Sequence, residues 1–436
     1  MLKKLFIFLF IGTILSSCNS EGEKLEGISF QEQLKTLFPK AKIDSIKVND
    51  HFTEAYQLII QEPLDHKNPD KGTFEHYIYV SHYDYKSPTV LVTEGYNARH
   101  QTYELSKVLN SNQVMVEYRF YGKSRPNPIP WEYLTNDQAV EDYHAIVSKL
   151  KQLYQKKWIS TGISKGGETV LIYKSKYPKD MDVAVPYVAP LINTQEDPRT
   201  NELINSVGTD ECRTKIVQFQ RAILKNRKEI MVALRDNAAA KNMSFTKIPI
   251  DEALEHSVLE FPFSFWQWGS KCEEIPNEKA SPKELFAYLN RVSGFYLFSD
   301  AGVHHYLPSF YQHMTELGYY GYDLKPVKNL LEHVKTSSLA CFGPQDMDLS
   351  YNPNYIKEVR DYVENKGNEI LYIYGEYDPW GACSPNPKES VDALKMVLEG
   401  ADHGTRIKHF SKEDQQKIYD KLQTWLGKEA KITPTN

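Results

Sequence analysis

The residues with the most definite chemical potential are Gly162-Ile163-Ser164-Lys165-Gly166, which fit the pattern G-x-S-x-G. A serine hydroxyl is a weak nucleophile until a base takes its proton, so it must be presented to one. The glycines permit that presentation. They allow a tight turn between strand and helix, where a Cβ at either flank would collide with a neighbouring element. The surrounding sequence suits the turn: Trp158 to Ile163 reads as a strand and Gly166 to Tyr177 as a helix.

The base needs a carboxylate to orient it. Ile370 to Tyr374 reads as a strand running into Gly375-Glu376-Tyr377-Asp378-Pro379-Trp380, which places Asp378 in a loop at the strand's end. His403 lies in Gly400-Ala401-Asp402-His403-Gly404, after a further short strand and before the last helix. The order Ser164, Asp378, His403 is the order this chemistry takes around a G-x-S-x-G turn. Asp402, Glu376 and Asp346 compete for the acid, and His409 and the His304-His305 pair for the base. The histidine competitors do not follow strand ends. A tetrahedral oxyanion requires backbone donors: the N–H of Lys165, after the nucleophile, and one from the loop Thr93-Glu94-Gly95-Tyr96, at Gly95 or Tyr96.

The elements that must position these groups follow from periodicity. Tyr56–Gln61 and Phe74–His82 alternate like antiparallel strands; Thr89–Thr93, Gln113–Tyr118 and Val183–Val188 read as further strands, and Asn136–Tyr154 as a helix. Alternating strands and helices predict a parallel sheet with an antiparallel edge. From about residue 193 to 335 the alternation stops, and Cys212–Asn242, Pro282–Phe298 and Ala301–Leu317 read as helices. Strand and helix signals resume at Glu369–Tyr374, with a helix expected near Pro387–Lys395, a strand Met396–Glu399 and a terminal helix Lys412–Leu426.

Composition bounds the function. The 436 residues carry 52 Lys+Arg against 57 Asp+Glu, a formal charge of −5, which excludes binding nucleic acid through bulk electrostatics. There is no HExxH among the 13 histidines and no cysteine pair with metal-ligand spacing, so neither a metal nor another cofactor is expected. Lys3 and Lys4 precede the apolar run Leu5–Leu15, too short to span a bilayer of about 30 Å and suited to an export signal. That run ends in Leu15-Ser16-Ser17-Cys18, which resembles a bacterial lipobox with Cys18 as the lipidated residue. The expectation is an exported lipoprotein of the cell envelope, anchored to the membrane through Cys18. Of five cysteines, Cys212, Cys272, Cys341 and Cys383 then remain; of their three pairings, Cys212–Cys272 and Cys341–Cys383 are favoured.

Longer segments carry a family resemblance. Gln61-Glu62-Pro63-Leu64-Asp65-His66 with Gly72-Thr73-Phe74, Thr93-Glu94-Gly95-Tyr96-Asn97, Glu117 to Ser124, Trp158 to Gly167 and Tyr187-Val188-Ala189-Pro190 resemble the secreted bacterial prolyl tri/tetrapeptidyl aminopeptidases. These are relatives of the lysosomal Pro-Xaa carboxypeptidase and dipeptidyl-peptidase II group. The resemblance implies an α/β-hydrolase fold with a large helical cap inserted between the nucleophile half and the Asp/His half. The corresponding division is 1–17 signal peptide, 18–45 tether, 46–192 core, 193–335 cap, 336–427 core and 428–436 tail. It also implies Ser164, Asp378 and His403 as nucleophile, orienting acid and general base. The implied activity is release of a tri- or tetrapeptide by cleavage after proline near a free N-terminus.

Peptide substrates of that kind set further requirements. A substrate ammonium needs a carboxylate, for which Glu94 and Glu260 are candidates. A proline ring needs an apolar aromatic pocket, for which Trp266, Trp268 and Trp380 are candidates. Aromatic residues make up 12% of the chain, and the cap holds many of them, including Phe261, Phe263, Phe265, Phe310, Tyr319 and Tyr320. Arg119 and Tyr121 are expected to brace the core beside the site. Alternative readings are carboxypeptidase, dipeptidyl-peptidase or esterase activity on the same fold, or a binding lipoprotein that has lost catalysis.

Overall fold

Antiparallel pairing begins at one edge of a nine-stranded sheet in the computed structural model, which describes residues 25–49, 51–347, 349–428 and 430–434. A short helix, α1 (Phe30–Leu37), opens the described chain under a capping box in which Ser29 and Glu32 satisfy each other's backbone N–H groups. It precedes β1 (Lys42–Ser45), β2 (Glu54–Pro63) and β3 (Thr73–His82), which pair antiparallel. The stretch expected as a tether up to residue 45 is therefore folded from α1 onward: Phe30, Leu34 and Leu37 are buried against the sheet. Cys18 and the apolar run before it lie outside the described residues.

The parallel part follows from strands that are apolar on both faces. It comprises β4 (Thr89–Thr93), β5 (Asn112–Val116), β6 (Trp158–Ile163), β7 (Val183–Tyr187), β8 (Ile370–Gly375) and β9 (Ala393–Leu398), in the spatial order β1-β2-β3-β5-β4-β6-β7-β8-β9. In β4, Leu91 points into one core while Val90 and Val92 point into the other. The first core is covered by α1, α3 (Asn136–Leu150), α4 (Lys165–Lys176) and α11 (Tyr355–Asn365); the second by α2 (Glu104–Leu109) and α12 (Lys412–Leu426). This is the α/β-hydrolase arrangement, with the elbow between β6 and α4.

Between β7 and α11 the chain forms α5 (Arg199–Ile204), α6 (Asp210–Lys225), α7 (Arg227–Ala240), α8 (Ile250–Gln267), α9 (Pro282–Val292) and α10 (Asp300–Gln312). These helices enclose a third core of their own, which Leu339, Phe342 and Trp380 also enter. A disulfide joins Cys212 at the start of α6 to Cys272 beyond the end of α8.

Four local expectations are corrected. The helix expected near Pro387–Lys395 is absent: Pro385 and Pro387 hold the segment out of helix, and the strand begins at Ala393. The helix of this half is instead α11, ahead of β8. The expected helix Cys212–Asn242 breaks at Asn226 into α6 and α7, and α8 forms where only an aromatic segment was recognised. Finally, Cys341 and Cys383 are free. Cys341 Sγ lies 3.9 Å from His256 Nε2 of α8, whereas Cys383 is fully buried in the turn Pro379–Cys383, so each packs in its own environment.

Candidate active site

Ser164 sits between β6 and α4 with φ 57° and ψ −124°, a left-handed conformation unusual for a residue with a Cβ. Close packing imposes it. A Cβ on Gly162 would lie 2.4 Å from the backbone C and O of Gly166, and one on Gly166 would lie 2.5 Å from Thr93 O. Ser164 N donates to Tyr187 O at 2.9 Å, tying the turn to the neighbouring strand. Holding a non-glycine residue there costs on the order of 1–3 kcal/mol, a strain that local packing sustains at functional sites.

Asp378 caps the turn Pro379–Cys383 at the end of β8: its Oδ1 accepts from Trp380 N at 3.2 Å. The other oxygen, Oδ2, lies 2.7 Å from His403 Nδ1, with Asp378 fully buried and His403 nearly so. A carboxylate on Nδ1 places the proton there and leaves Nε2 to act as base. Among the described residues Nε2 has no protein partner, and His403 and Ser164 line the same cavity. The cap steadies this histidine, since His403 N donates to Gln267 O at 3.0 Å at the end of α8 and Trp268 meets its ring edge to face at 5.6 Å. The competing acids serve loops. Glu376 Oε2 accepts from Gly400 N at 2.8 Å, and Asp402 Oδ1 from Gly404 N at 2.7 Å. His409 Nδ1 accepts from Arg406 N at 3.1 Å, while His305 stands on α10 at the cavity wall.

Two sets of backbone donors converge beside Ser164. The N–H of Lys165 opens α4, where a helix leaves its first donors unused. The loop after β4 packs directly on it: a Cβ on Gly95 would lie 2.5 Å from Gly166 N. Among the described residues, neither Gly95 nor Tyr96 donates its N–H to a protein acceptor, so both remain available to an oxyanion.

The cavity above these groups has a volume of about 1100 Å³ and lies between the sheet's C-terminal ends and the cap. Among the described residues, the acidic ones that line it are Glu94 and Glu260. Glu94 Oε1 accepts from Tyr103 Oη at 2.5 Å, and burial pushes its carboxyl up to about 7 against that hydrogen bond. Glu260 accepts from Tyr320 Oη at 2.6 Å and Ser264 Oγ at 3.0 Å, and burial likewise pushes it up to about 7.

Of the three tryptophans, Trp268 and Trp380 line the cavity and Trp266 does not. Trp266 is 3% exposed, meets Tyr377 edge to face at 5.4 Å and occupies the space over Gly208, so it is a packing residue of the cap. Beside Trp380 stand Phe263 at 5.0 Å, Tyr319 at 5.4 Å and Tyr320 at 5.4 Å, forming an aromatic box next to Asp378. Sequence reasoning placed Phe263, Tyr319 and Tyr320 only among the aromatic residues of the cap. The available signal was helical spacing: Glu260, Phe263, Ser264 and Gln267 recur on one face of α8, and all four reach the cavity.

Arg119 is buried and braces the adjoining core. Its Nε and Nη2 donate to the two oxygens of Asp142 at 2.7 and 2.8 Å, and Nη1 donates to Leu64 O and Tyr133 O. Tyr121 Oη donates to Gln312 Oε1 of α10, linking core to cap. Glu62, His76 and Asp142 cluster nearby, but the Arg119 guanidinium on Asp142 already supplies the positive charge a cation would bring.

Residues 44–435 match the family model described as PS-10 peptidase S37. The chain is 32% identical over 399 residues to the prolyl tri/tetrapeptidyl aminopeptidase of Streptomyces mobaraensis, covering 88% of this chain and 84% of that protein. It is 26% identical over 159 residues to prolyl carboxy peptidase like protein 5 of Caenorhabditis elegans, covering 32% of this chain and 31% of that one. Among solved structures, the proline iminopeptidase of Mycobacterium smegmatis aligns over 89% of this chain and 98% of its own at 13% identity and a TM-score of 0.39.

Proposed function

Since the chain belongs to the PS-10 peptidase S37 family and is a serine peptidase, we propose that it releases short peptides by cutting after proline near a free N-terminus. The observation that carries this reading is the 2.7 Å contact between Asp378 and His403, in a cavity shared with a strained Ser164 and an aromatic box. Ser164 Oγ attacks the carbonyl carbon that follows the proline ring, and His403 Nε2 takes its proton. Asp378 stabilises the imidazolium that results. The oxyanion is held by the N–H of Lys165 and by that of Gly95 or Tyr96. His403 then passes its proton to the departing amine nitrogen, leaving the peptide esterified to Ser164. Water, activated by the same histidine, hydrolyses that ester and restores the hydroxyl.

Phe263, Tyr319, Tyr320 and Trp380 offer the proline ring a rigid apolar surface. The ammonium of the substrate meets Glu94 or Glu260, whose carboxyls give up a proton when that charge arrives. Three extended residues span about 10 Å, so the walls of the cavity beneath the cap limit how much chain lies on the N-terminal side of the proline. Lipidation at Cys18 would hold the enzyme at a membrane surface; loss of radiolabelled palmitate incorporation in Cys18→Ser checks that part.

The test uses peptides with proline at successive positions from the N-terminus, each with a free or acetylated amine, and identifies products by mass spectrometry. The expected result is an N-terminal tri- or tetrapeptide ending in proline from free-amine peptides only, with no turnover by Ser164→Ala. Release of single C-terminal residues, or equal cleavage of acetylated peptides, contradicts the proposal.

A further inference from the structure

The side chain of Lys165 takes no part in the steps above, yet it is buried beside them. It is 3% exposed, and Nζ has no hydrogen-bond partner among the described residues. Nζ lies instead 3.7 Å from the Tyr118 ring centroid, 5.2 Å from that of Tyr121 and 5.9 Å from that of Tyr96. These rings brace one another edge to face, Tyr118 to Tyr121 at 5.5 Å and Tyr96 to Tyr121 at 5.9 Å. Tyr118 N donates to Tyr96 O at 3.2 Å, so the box is also tied through its backbone. Such a box attracts a desolvated cation through the negative faces of its rings.

We propose that the Lys165 ammonium, clamped among Tyr96, Tyr118 and Tyr121, is a positioning residue that locks together the two halves of the oxyanion hole. Lys165 contributes one donor through its backbone, and Tyr96 stands on the loop that contributes the other. The inference rests on the reading of Ser164 as nucleophile and of these N–H groups as oxyanion donors.

Carboxylates are poor alternatives for holding this cation. Glu168 on α4 and Glu316 on the turn after α10 both face Lys165, but burial pushes them up to about 8 and about 7, so neither carries a full negative charge near neutrality. His313, from the same turn as Glu316, is held down to about 3 by burial and by Lys165 and stays neutral. Burial lowers Lys165 itself to about 7 from an ordinary 10.5. A lysine whose folded value lies below its unfolded one costs stability in full below about pH 7. That cost is relieved as pH rises towards about 10.5. The clamp, which needs the ammonium, is lost as pH rises through about 7.

Removing the amine should therefore slow the enzyme while relieving the fold. The experiment compares the full chain with Lys165→Met and Lys165→Arg, measuring kcat and KM against pH, thermal midpoints, and fluorophosphonate labelling at Ser164. Expected for Lys165→Met is a KM within about threefold, a kcat lower by about tenfold or more, and a midpoint at or above that of the parent. The midpoint gain should be larger at about pH 6 than at about pH 9. The parent's kcat should decline above about pH 7 along a limb that Lys165→Met lacks and that Lys165→Arg, charged throughout, moves to higher pH. Parental kcat in Lys165→Met at every pH overturns the inference alone. So does a kcat loss with a lowered midpoint and an unchanged limb. A parent enzyme that does not label at Ser164 overturns the nucleophile assignment and this inference with it.

Discussion

Gly95→Ala separates the space requirement at the oxyanion hole from every other property of the site. Gly95 does not have a positive φ, so alanine fits its backbone conformation. The obstacle is the new methyl group, which would stand 2.5 Å from Gly166 N, 2.6 Å from Lys165 C and 2.7 Å from Lys165 Cβ. Ordinary contact starts at 3.4 Å, so the loop and the elbow must part by about 0.9 Å. Oxyanion donors work at about 2.7–3.1 Å, and a displacement of this size forfeits one of them. The expected cost is a fall in kcat of roughly 10²–10³, equivalent to about 2.7–4 kcal/mol. KM should stay nearly constant, because the lost interaction belongs to the transition state. Overpacking adds a stability loss of about 1–3 kcal/mol. Initial rates on a proline-containing chromogenic peptide, normalised to sites titrated with a fluorophosphonate, give kcat; thermal unfolding gives the stability term. Gly27→Ala is the control: φ is +77° with nothing within 4 Å, so it costs stability, about 1 kcal/mol, and leaves kcat alone. A folded Gly95→Ala enzyme with kcat within about threefold of the parent would refute the reasoning.

Three other perturbations probe the remaining parts. Asp378→Asn removes the acceptor on His403 Nδ1 and should cut kcat by about 10⁴ while Ser164 and the cavity stay in place; an effect below about tenfold in steady-state assays would assign the orienting role elsewhere. Below about pH 7, Glu94 and Glu260 are mostly neutral, so KM for free-amine peptides should fall as pH rises through that value; acetylated peptides should bind without this dependence, and Glu94→Gln or Glu260→Gln should flatten it for whichever carboxylate meets the ammonium. Breaking the Cys212–Cys272 bridge, which closes a sequence separation of 60, should cost about 4 kcal/mol in denaturant unfolding of the cap; thiol alkylation of the denatured, unreduced protein should mark Cys341 and Cys383 and spare Cys212 and Cys272.

Much of the candidate site was legible because it depends on short-range rules. The glycines around Ser164 announce a turn whose sterics exclude Cβ atoms, and the strands of the sheet announce themselves by period and by apolar runs. Asp378 and His403 could be named because each follows a strand end, and parallel strands bring such ends to one side of a sheet. Helix α11 was missed although it is amphipathic, and a helix was expected where Pro385 and Pro387 forbid one. The cap was legible as an insertion rich in aromatic residues, but not as a site.

By itself the sequence determined the elbow turn, the chain order of Ser164, Asp378 and His403, and the parallel sheet; of the two disulfides it favoured, the structure forms only Cys212–Cys272. Tertiary structure decided which aromatic rings face the cavity. Trp266 and Phe263 are three residues apart on α8, yet the first fills the space over Gly208 while the second joins Tyr319, Tyr320 and Trp380. It also decided that Cys341 and Cys383 remain apart, and that Lys165, polar and next to Ser164, turns inward to three tyrosines. A residue's type sets what it can contact, but which contacts form depends on elements distant in sequence, and their packing is a property of the whole chain.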